Sequence, residues 1–232
     1  MRVAIMQPTY LPWAGYFGLM HSVDLFILLD TVQFARRSWQ QRNQIKSPSG
    51  AKWLTASVQK RGRREQLISQ VELDNSGDFV DVHRKTIIHC YSKAKYFENY
   101  SSDFFAQICQ PKAMLSDLNT STIEYLASQL NISTQIRRAS DIGGVGNKAD
   151  LLADICKIVG ATQYISVPGS KGYLDGSSAF EECGIPVRYF HFDHPLYKQL
   201  HGEFLPYMSV MDMLFNCGSE SYDLIKHSSA VR

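Results

Sequence analysis

The stretch RVAIMQPTYLPWAGYFGLMHSVDLFILLD, residues 2–30, decides the fold class. Val3–Met6 and Phe26–Leu29 are short continuous apolar runs, which are typical of strands buried on both faces of a parallel sheet. Between them, the sequence predicts a turn at Gln7–Trp13 and a helix at Gly15–Leu25. The stretch therefore predicts a strand, a helix and a second parallel strand, the unit from which open α/β sheets are built.

The remainder of the chain extends this pattern around an interruption. Three further strands are predicted at Gln135–Ala139, Gln163–Val167 and Val187–Phe192. Helices are predicted between and after them, at Lys148–Val159, at Ser178–Cys183 and in a region that begins at Ser209. The interrupting segment is predicted to contain a hairpin, Trp53–Val58 with Ile68–Leu73, and three helices, Asp78–Tyr91, Tyr96–Cys109 and Met114–Leu130.

These elements together predict a single α/β domain over residues 1–232. Its open, mainly parallel sheet is expected to carry helices on both faces, and a basic hairpin and helical insertion are expected at about residues 36–131. In sheets of this kind, the ligand crevice lies outside the carboxyl ends of the strands, where neighbouring loops meet. We therefore expect the functional residues in loops that follow strands.

The composition excludes several classes of protein. Of the 232 residues, 44% are hydrophobic and 20% are charged, which is too apolar for a disordered chain. The five cysteines are widely spaced without a CxxC pair, so we expect reduced thiols, no disulfide framework and no metal site. There is no signal-peptide pattern and no run of roughly 18 apolar residues, so we expect a cytoplasmic protein without a membrane span.

Charge is unevenly distributed along the chain. The net charge is +2, yet residues 36–64 contain nine Lys or Arg and no Asp or Glu, which leaves the rest of the chain acidic. Two interpretations of this basic segment stay open: a solvated loop around Lys60–Arg64, or a nucleic-acid surface on which Trp39 and Trp53 stack bases. The modest net charge makes nucleic acid the weaker expectation for a partner.

Arg42 and Asn43 differ from the rest of the basic segment. They lie in RNQIK, directly ahead of a predicted strand, where the backbone is expected to be fixed. A guanidinium fork beside a side-chain amide suits a carboxylate or a phosphate. The pair is therefore predicted to bind an anion, and Arg42 is placed among the catalytic residues.

The segment QPTYLPWAGYF, residues 7–17, connects the first predicted strand to the first predicted helix. Two prolines, a glycine and several aromatic residues in one bend favour a binding role, although capping of the sheet end is an alternative. In the binding interpretation, an aromatic face stacks on a base or a sugar, and the start of the helix offers amides to a phosphate. The predicted binding residues here are Gln7, Tyr10, Trp13, Gly15 and Tyr16.

A glycine-rich bend, DIGGVGNK at residues 141–148, follows another predicted strand. Glycines allow a phosphate to approach the backbone, and a lysine at a helix start adds positive charge. Gly144 and Asn147 are therefore predicted to bind an anion, with Lys148 as a catalytic residue. An ordinary connection without a ligand is the alternative.

A second bend, PGSKGYLD at residues 168–175, also follows a predicted strand. Gly169, Ser170 and Tyr173 are predicted to bind substrate, and Lys171 is predicted to neutralise charge on a transferring group. A polar turn with a packed tyrosine is the alternative. Because these bends follow parallel strands, we expect them to share one cavity with the aromatic bend.

Several of these segments resemble the WbqC-like family of bacterial proteins. The resemblance rests on IMQPTYLPWAGYF, LLDTVQF, RNQIK followed by KWLTASV, NKADLLADICKIVGATQYISVPGSKGYLD and FLPYMSVMDMLFNCG. It spans nearly the whole chain. Members of the family occur in gene clusters for O-antigen and related lipopolysaccharide or surface polysaccharides, and a transfer of glycine to a sugar has been suggested for them. The resemblance therefore implies an aminoacyl-sugar reaction.

A fold-level similarity points to the nucleotide-binding (HUP-like) superfamily that includes adenylyl-transferring enzymes and pantothenate synthetase. Pro12, Gly15 and the Gln33-Phe34 pair resemble turns of that superfamily, although its histidines are missing here. Gln33 is accordingly added to the predicted binding residues. Asp30 ends the second predicted strand and is predicted to hold a ribose or an amino group, with a helix or turn cap as the alternative. ATP with Mg is the expected cofactor, and a donor that is already activated is the alternative.

The predicted function is a transferase or ligase that attaches an aminoacyl group, with glycine expected, to an amino sugar or a nucleotide-linked sugar. A nucleic-acid-binding or nucleotide-binding module without turnover is the alternative. The expected partners are small-molecule substrates, an amino acid and a sugar or nucleotide sugar. Pairing of two copies through the apolar C-terminal helix stays open.

Overall fold

The computed structural model describes residues 1–63 and 65–232, so Arg64 of the basic segment lies outside the described residues. The strands are β1 (Arg2–Met6), β2 (Leu25–Leu28), β3 (Arg42–Ser47), β4 (Gly50–Thr55), β5 (Gln135–Arg138), β6 (Gln163–Ser166), β7 (Val187–Phe192) and β8 (Ser229–Val231). The helices are α1 (Ala14–His21), α2 (Phe79–Tyr91), α3 (Phe97–Ile108), α4 (Leu115–Gln129), α5 (Ala139–Ile142), α6 (Ala149–Ile158), α7 (Lys171–Leu174), α8 (Ala179–Glu182), α9 (Val210–Cys217) and α10 (Glu220–His227). Among the residues described, no helix is both long and apolar enough to cross a membrane.

One six-stranded sheet organises the fold, with the strand order β5-β2-β1-β6-β7-β8. The first five strands of this order are parallel, and β8, which the sequence did not predict, runs antiparallel to β7. The chain winds outward from β1 to β2 and β5, and then returns to β6 on the other side of β1. The predicted α/β fold with a mainly parallel sheet is therefore confirmed, and the winding direction reverses between β1 and β6.

Alternate residues of the central strands enter two different cores, as a two-sided sheet requires. On one face, Ala4 and Phe26 belong to a core with side chains from α1 to α4, α9 and α10. On the other face, Ile5 and Ile27 belong to a core with side chains from α6 and α8. Helices therefore cover both faces of the sheet, as predicted.

The hairpin differs from the sequence prediction. It is formed by β3 and β4, which pair from Arg42 opposite Thr55 to Ser47 opposite Gly50. The predicted strands Trp53–Val58 and Ile68–Leu73 meet only in an antiparallel bridge between Val58 and Leu73, because the Pro-Ser-Gly turn at residues 48–50 already pairs β4 with β3. Gly50 supplies the positive φ of this turn, and a single turn of 3-10 helix forms at Ile68–Gln70 instead of a strand.

A buried contact between Tyr10 and His83 ties the aromatic bend to α2. The Tyr10 hydroxyl lies 2.8 Å from Nδ1 of His83, and both side chains are buried. Phe79, one turn earlier on α2, packs its ring against the same imidazole. Burial lowers the pKa of His83 to about 4, so the ring is neutral at pH 7 and its Nδ1 can accept a hydrogen bond from the Tyr10 hydroxyl.

The protein is expected to lose stability on acidification because of His83. Its pKa is lowered from 6.5 to about 4, so between these pH values the unfolded chain binds a proton that the folded chain does not. Stability therefore falls as the pH drops below 6.5 and levels off below the folded pKa. Between pH 7 and pH 5, this one group should cost about 2 kcal/mol.

Urea unfolding at pH 7 and at pH 5 measures this contribution. The His83→Gln variant keeps a hydrogen-bonding side chain but does not titrate, so its pH difference should be smaller than that of the wild type by about 2 kcal/mol. The matched control is His89→Gln, since His89 is an exposed residue of the same helix. Equal pH differences for His83→Gln and the wild type would contradict the assignment.

Candidate functional site

A crevice opens at the carboxyl ends of β1, β6 and β7, beside the point where the winding of the sheet reverses. It has a volume of about 300 Å³, which lies at the lower end of the usual range for small-molecule sites. We call it the switch-point crevice. Its lining comprises Met6, Trp13, Gly15, Tyr16, Leu19, Val167, Pro168, Phe190, His191, Phe192, Asp193 and Tyr207.

A second cavity of about 260 Å³ lies next to the switch-point crevice. We call it the Trp39 pocket, and its lining comprises Met6, Thr9, Pro12, Trp13, Tyr16, Trp39, Asn43 and Tyr207. The two cavities share Met6, Trp13, Tyr16 and Tyr207. The rings of Trp13 and Tyr207, whose centroids are 5.3 Å apart, therefore line both cavities, and we call this pair the shared wall.

The Trp13 indole is held in this wall by packing on several sides. It meets Phe192 edge to face at 5.3 Å and stacks on His194 at 6.2 Å between centroids. It also lies over the first turn of α1, where a Cβ built on Gly15 would be only 2.2 Å from the ring. Gly15 is therefore the residue that lets the indole close over the helix.

Tyr207 is positioned through His194. The Nδ1 atom of His194 lies 3.0 Å from the carbonyl oxygen of Pro195, and its Nε2 atom accepts the backbone N–H of Tyr207 at 3.1 Å. Burial lowers the pKa of His194, which favours the neutral imidazole that this bonding requires. Tyr207 also has a φ of 62°, a left-handed conformation that is unusual for a non-glycine residue and typical of functional sites.

Gln7 presents a side-chain amide at the end of β1. Its Oε1 accepts a hydrogen bond from Nε2 of Gln40 at 2.8 Å, and Oε1 of Gln40 accepts the backbone N–H of Ala35. Gln40 is buried, whereas Gln7 is exposed. The buried glutamine thus fixes the orientation of the Gln7 amide, but Gln7 lies outside the lining of both cavities.

Comparison with known proteins places these segments in a family. A model of the WbqC-like protein family matches residues 7–224. The chain is also 37% identical over 229 residues to an uncharacterized protein of Mycobacterium tuberculosis, Rv1507c, a match that covers 97% of this chain and 98% of that protein. The chain belongs to the WbqC-like protein family. Membership suggests a function related to polysaccharides. No solved structure matches the chain.

The segments that carry the WbqC-like resemblance at the two ends of the chain meet at the two cavities. The aromatic bend contributes Trp13, and FLPYMSV, far along the chain, contributes Tyr207. A backbone bridge between Trp13 and Ser209 joins the two segments directly. The sequence analysis predicts Trp13 as a binding residue, and Trp13 does line both cavities. It misses Tyr207, His194 and Gln40, because only the fold brings them to the bend.

Three residues that the sequence predicts to bind substrate form contacts with other groups of this WbqC-like protein. Tyr10 is buried against His83, as described above. Tyr16 is buried and its hydroxyl donates to the backbone oxygen of Gln7, although its ring lines both cavities. Gln33 is exposed and forms an isolated backbone bridge with Leu67, outside the lining of either cavity.

Asp30 is wholly buried at the end of β2. Its Oδ2 accepts hydrogen bonds from the Arg138 guanidinium and the Ser140 hydroxyl, both at 2.8 Å, and its Oδ1 accepts the backbone N–H of Ser140. Arg138 in turn pairs with Asp117 at 2.7 Å. These contacts hold the end of β2 against the end of β5, so both carboxylate oxygens of Asp30 are already occupied by protein groups.

Arg42 and Asn43 do not converge on one ligand. They are consecutive residues of β3, and consecutive strand residues point to opposite faces. The Arg42 guanidinium lies 4.2 Å from the centroid of the Trp53 ring, whereas Nδ2 of Asn43 donates to the backbone oxygen of Leu11 at 2.7 Å. The predicted fork beside an amide is therefore not formed, although Asn43 does line the Trp39 pocket.

The glycine bend at residues 141–148 packs against α6. A Cβ on Gly144 would be 2.7 Å from Ile155, and the backbone N–H of Val145 donates to the carboxylate of Asp154 at 2.8 Å. The Asp154 carboxylate thus accepts a hydrogen bond from a backbone amide of the bend that the sequence predicts to bind a phosphate. Asn147 and Lys148 are exposed at the start of α6, which covers the face of the sheet opposite α1.

The bend at residues 168–175 meets the switch-point crevice only at its start. Pro168 lines the crevice, and Gly169 next to it is exposed. Ser170 is buried with its Oγ 2.6 Å from that of Ser166. Lys171 is exposed beyond the crevice, and its ammonium lies 5.9 Å from the Tyr189 ring. Tyr173 also lies beyond the crevice and is 42% exposed, and the burial of the rest of its side chain raises its pKa.

The expectation that all three bends share one cavity is therefore wrong. The aromatic bend and the first residues of the 168–175 bend line the switch-point crevice together. The two predicted catalytic lysines, Lys148 and Lys171, lie outside its lining and beside the core on the other face of the sheet. Parallel strands bring loops to a common edge, but the side chains then turn to either face of that edge.

Proposed function

We propose that this WbqC-like protein is a transferase or ligase that attaches an aminoacyl group, with glycine as the expected group, to an amino sugar or a nucleotide-linked sugar in surface polysaccharide biosynthesis. The observation that carries the proposal is the pair of cavities that share the wall of Trp13 and Tyr207. A group transfer needs two substrates in contact, and holding them so contributes up to about 7 to 11 kcal/mol in favourable cases. Two adjoining aromatic compartments that share lining residues can hold one substrate each, with the reacting groups where the compartments adjoin.

The chemistry is the formation of an amide. The nitrogen of an amino sugar attacks the carbonyl carbon of the aminoacyl donor, the bond from that carbon to its activating group breaks, and the nitrogen loses a proton. His191 and Asp193 supply a nitrogen and a carboxylate in the crevice that can accept the released proton.

The residues of the switch-point crevice fit ATP with Mg poorly. A triphosphate is usually bound by several cationic side chains, and the described lining contains no Lys or Arg. Lys148 and Lys171, which the sequence predicts to bind phosphate groups, lie outside the lining of the crevice. We therefore assign no step to ATP and infer a donor that arrives already activated, such as a carrier-bound aminoacyl ester or thioester.

Mass spectrometry tests the proposal. Purified protein is incubated with nucleotide-linked amino sugars and either a glycyl thioester or glycine with ATP and Mg. We expect the sugar to gain one glycyl group with the thioester. The substitutions His191→Gln and Asp193→Asn, combined in one protein, should reduce the rate by about 100-fold. His89→Gln serves as the control. Absence of product and of any thermal shift with every donor and acceptor would overturn the proposal.

A further inference from the structure

The hairpin carries an exposed aromatic pair beside the Trp39 pocket. Trp39 is 49% exposed and Trp53 is 40% exposed, with ring centroids 5.3 Å apart and an angle of 41° between the rings. The Arg42 guanidinium covers one face of Trp53 at 4.2 Å. Two half-exposed tryptophans in contact leave a large apolar area in water, which is typical of a binding site.

Trp39 is exposed but its backbone is fixed. Its carbonyl oxygen accepts the backbone N–H of Tyr10 at 2.9 Å, which ties it to the aromatic bend. The next two residues, Gln40 and Gln41, are buried, and Gln41 donates to the backbone oxygen of Ala56 at 3.1 Å. The backbone that carries the ring is therefore fixed at the rim of the pocket, so that little backbone entropy is lost when a ligand stacks on the ring.

We propose that the Trp39 pocket binds the pyranose ring of the acceptor sugar, stacked on Trp39. This inference rests on the proposed function, since it assigns the two substrates to the two compartments. A sugar in the Trp39 pocket and an aminoacyl donor in the switch-point crevice both contact the residues that line the two cavities in common. The amino group of the sugar then points toward the switch-point crevice.

The geometry favours a sugar ring over a nucleobase. The rings of Trp39 and Trp53 are tilted and in contact, so they leave no parallel slot for a flat base between them. The pocket also offers few groups to hydrogen-bond a base edge, because the amide of Asn43 is already bonded to Leu11 and Gln44. A pyranose needs only its C–H face against an aromatic ring, and its hydroxyls can stay hydrated in an open pocket.

Isothermal titration calorimetry with methyl 2-amino-2-deoxy-α-D-glucopyranoside and methyl α-D-glucopyranoside at millimolar concentrations tests the assignment. We expect at least one glycoside to bind, and Trp39→Ala to weaken that binding at least about tenfold. Trp39→Phe should retain most of it, since a phenyl ring still offers a stacking face. Val82→Ala, a change at an exposed apolar residue of α2, is the matched control, and Tm values verify that each variant is folded.

Three binding results would overturn the inference. One is the absence of binding by either glycoside, and another is equal binding by Trp39→Ala and the wild type. The third is tight binding of single-stranded RNA or nucleoside monophosphates that is lost in Trp39→Ala, since this would identify a base-stacking surface. Because glycoside binding is measured without a donor, its result is independent of transfer. Full transfer activity in Trp39→Ala would overturn this inference and leave the proposed function intact.

Discussion

The Asp212→Ala variant is expected to be less stable than the wild type by about 3 to 5 kcal/mol, with a Tm lower by roughly 10 °C. Asp212 is wholly buried in α9. Its Oδ1 accepts the Tyr91 hydroxyl at 2.8 Å, and its Oδ2 accepts the Tyr197 hydroxyl at 2.7 Å and Nε2 of Gln199 at 2.8 Å. Removing the carboxylate takes the acceptor from the Tyr91 and Tyr197 hydroxyls, whereas Nε2 of Gln199 keeps the backbone oxygen of Leu205.

The network around Asp212 extends to a buried lysine. The Tyr91 hydroxyl that donates to Asp212 also accepts the backbone N–H of Lys46 at 2.9 Å. The Lys46 ammonium donates to the backbone oxygens of Gly202 and Glu203. Burial raises the pKa of Asp212 and lowers that of Lys46, so each charge depends on these fixed partners. One carboxylate therefore supports contacts from β3, α2 and the segment at residues 197–203.

Urea and thermal unfolding of matched variants measure this effect. Asp212→Asn keeps the side-chain volume but turns one acceptor into a donor, so it should also lose more than about 2 kcal/mol. The control is Asp103→Ala, because Asp103 is exposed in α3 and the change should stay within about 0.5 kcal/mol. A loss below about 1 kcal/mol in Asp212→Ala would show that the two tyrosine hydroxyls find other partners.

The Asp212 network also shows what the sequence alone could predict. The continuous apolar runs at β1 and β2 identified the α/β fold because local hydrophobicity directly reports strands buried on two faces. The sequence SVMDMLF likewise showed an acid between apolar neighbours. The partners Tyr91 and Tyr197 lie 121 and 15 residues away along the chain, and no local pattern indicates such pairing.

The candidate site shows the same difference between what local sequence predicts and what depends on tertiary contacts. The unusual composition of the aromatic bend predicted a binding segment, and Trp13 does line both cavities. Lys148 and Lys171 were chosen because glycine bends after strands are typical phosphate sites. The composition of these bends does not show that Asp154 accepts a hydrogen bond from the backbone of one of them. It also does not show that the lysines face the other side of the sheet. Loop composition predicts where a ligand could lie, whereas side-chain direction depends on tertiary packing.

The Gly15→Ala variant is expected to lose about 1 to 2 kcal/mol of stability and more than tenfold in sugar binding and transfer, although alanine is the better helix former. In the interior of a helix, glycine to alanine is ordinarily favourable by about 0.5 to 1 kcal/mol. Here the added Cβ would be 2.2, 2.5 and 2.6 Å from three carbons of the Trp13 ring. Such overlap forces a rearrangement, which typically costs about 1 to 3 kcal/mol.

The indole has little room to retreat. Phe192 and His194 pack against it, and Tyr207 completes the wall on the remaining side. The added methyl group therefore displaces the ring into the Trp39 pocket or into the switch-point crevice. Either outcome changes the shared lining that positions both proposed substrates, so function should suffer more than stability does.

A double-mutant cycle separates this cause from a general defect. The three ring atoms nearest to the added Cβ all belong to the benzene half of the indole, so Trp13→Phe removes them. The destabilisation by Gly15→Ala should be smaller in the Trp13→Phe background, with a coupling energy of about 1 kcal/mol. Gly77→Ala is the matched control, because a Cβ there meets no atom within 4 Å. Additive effects of the two substitutions, with unchanged tryptophan fluorescence in Gly15→Ala, would contradict the packing of Trp13 over α1.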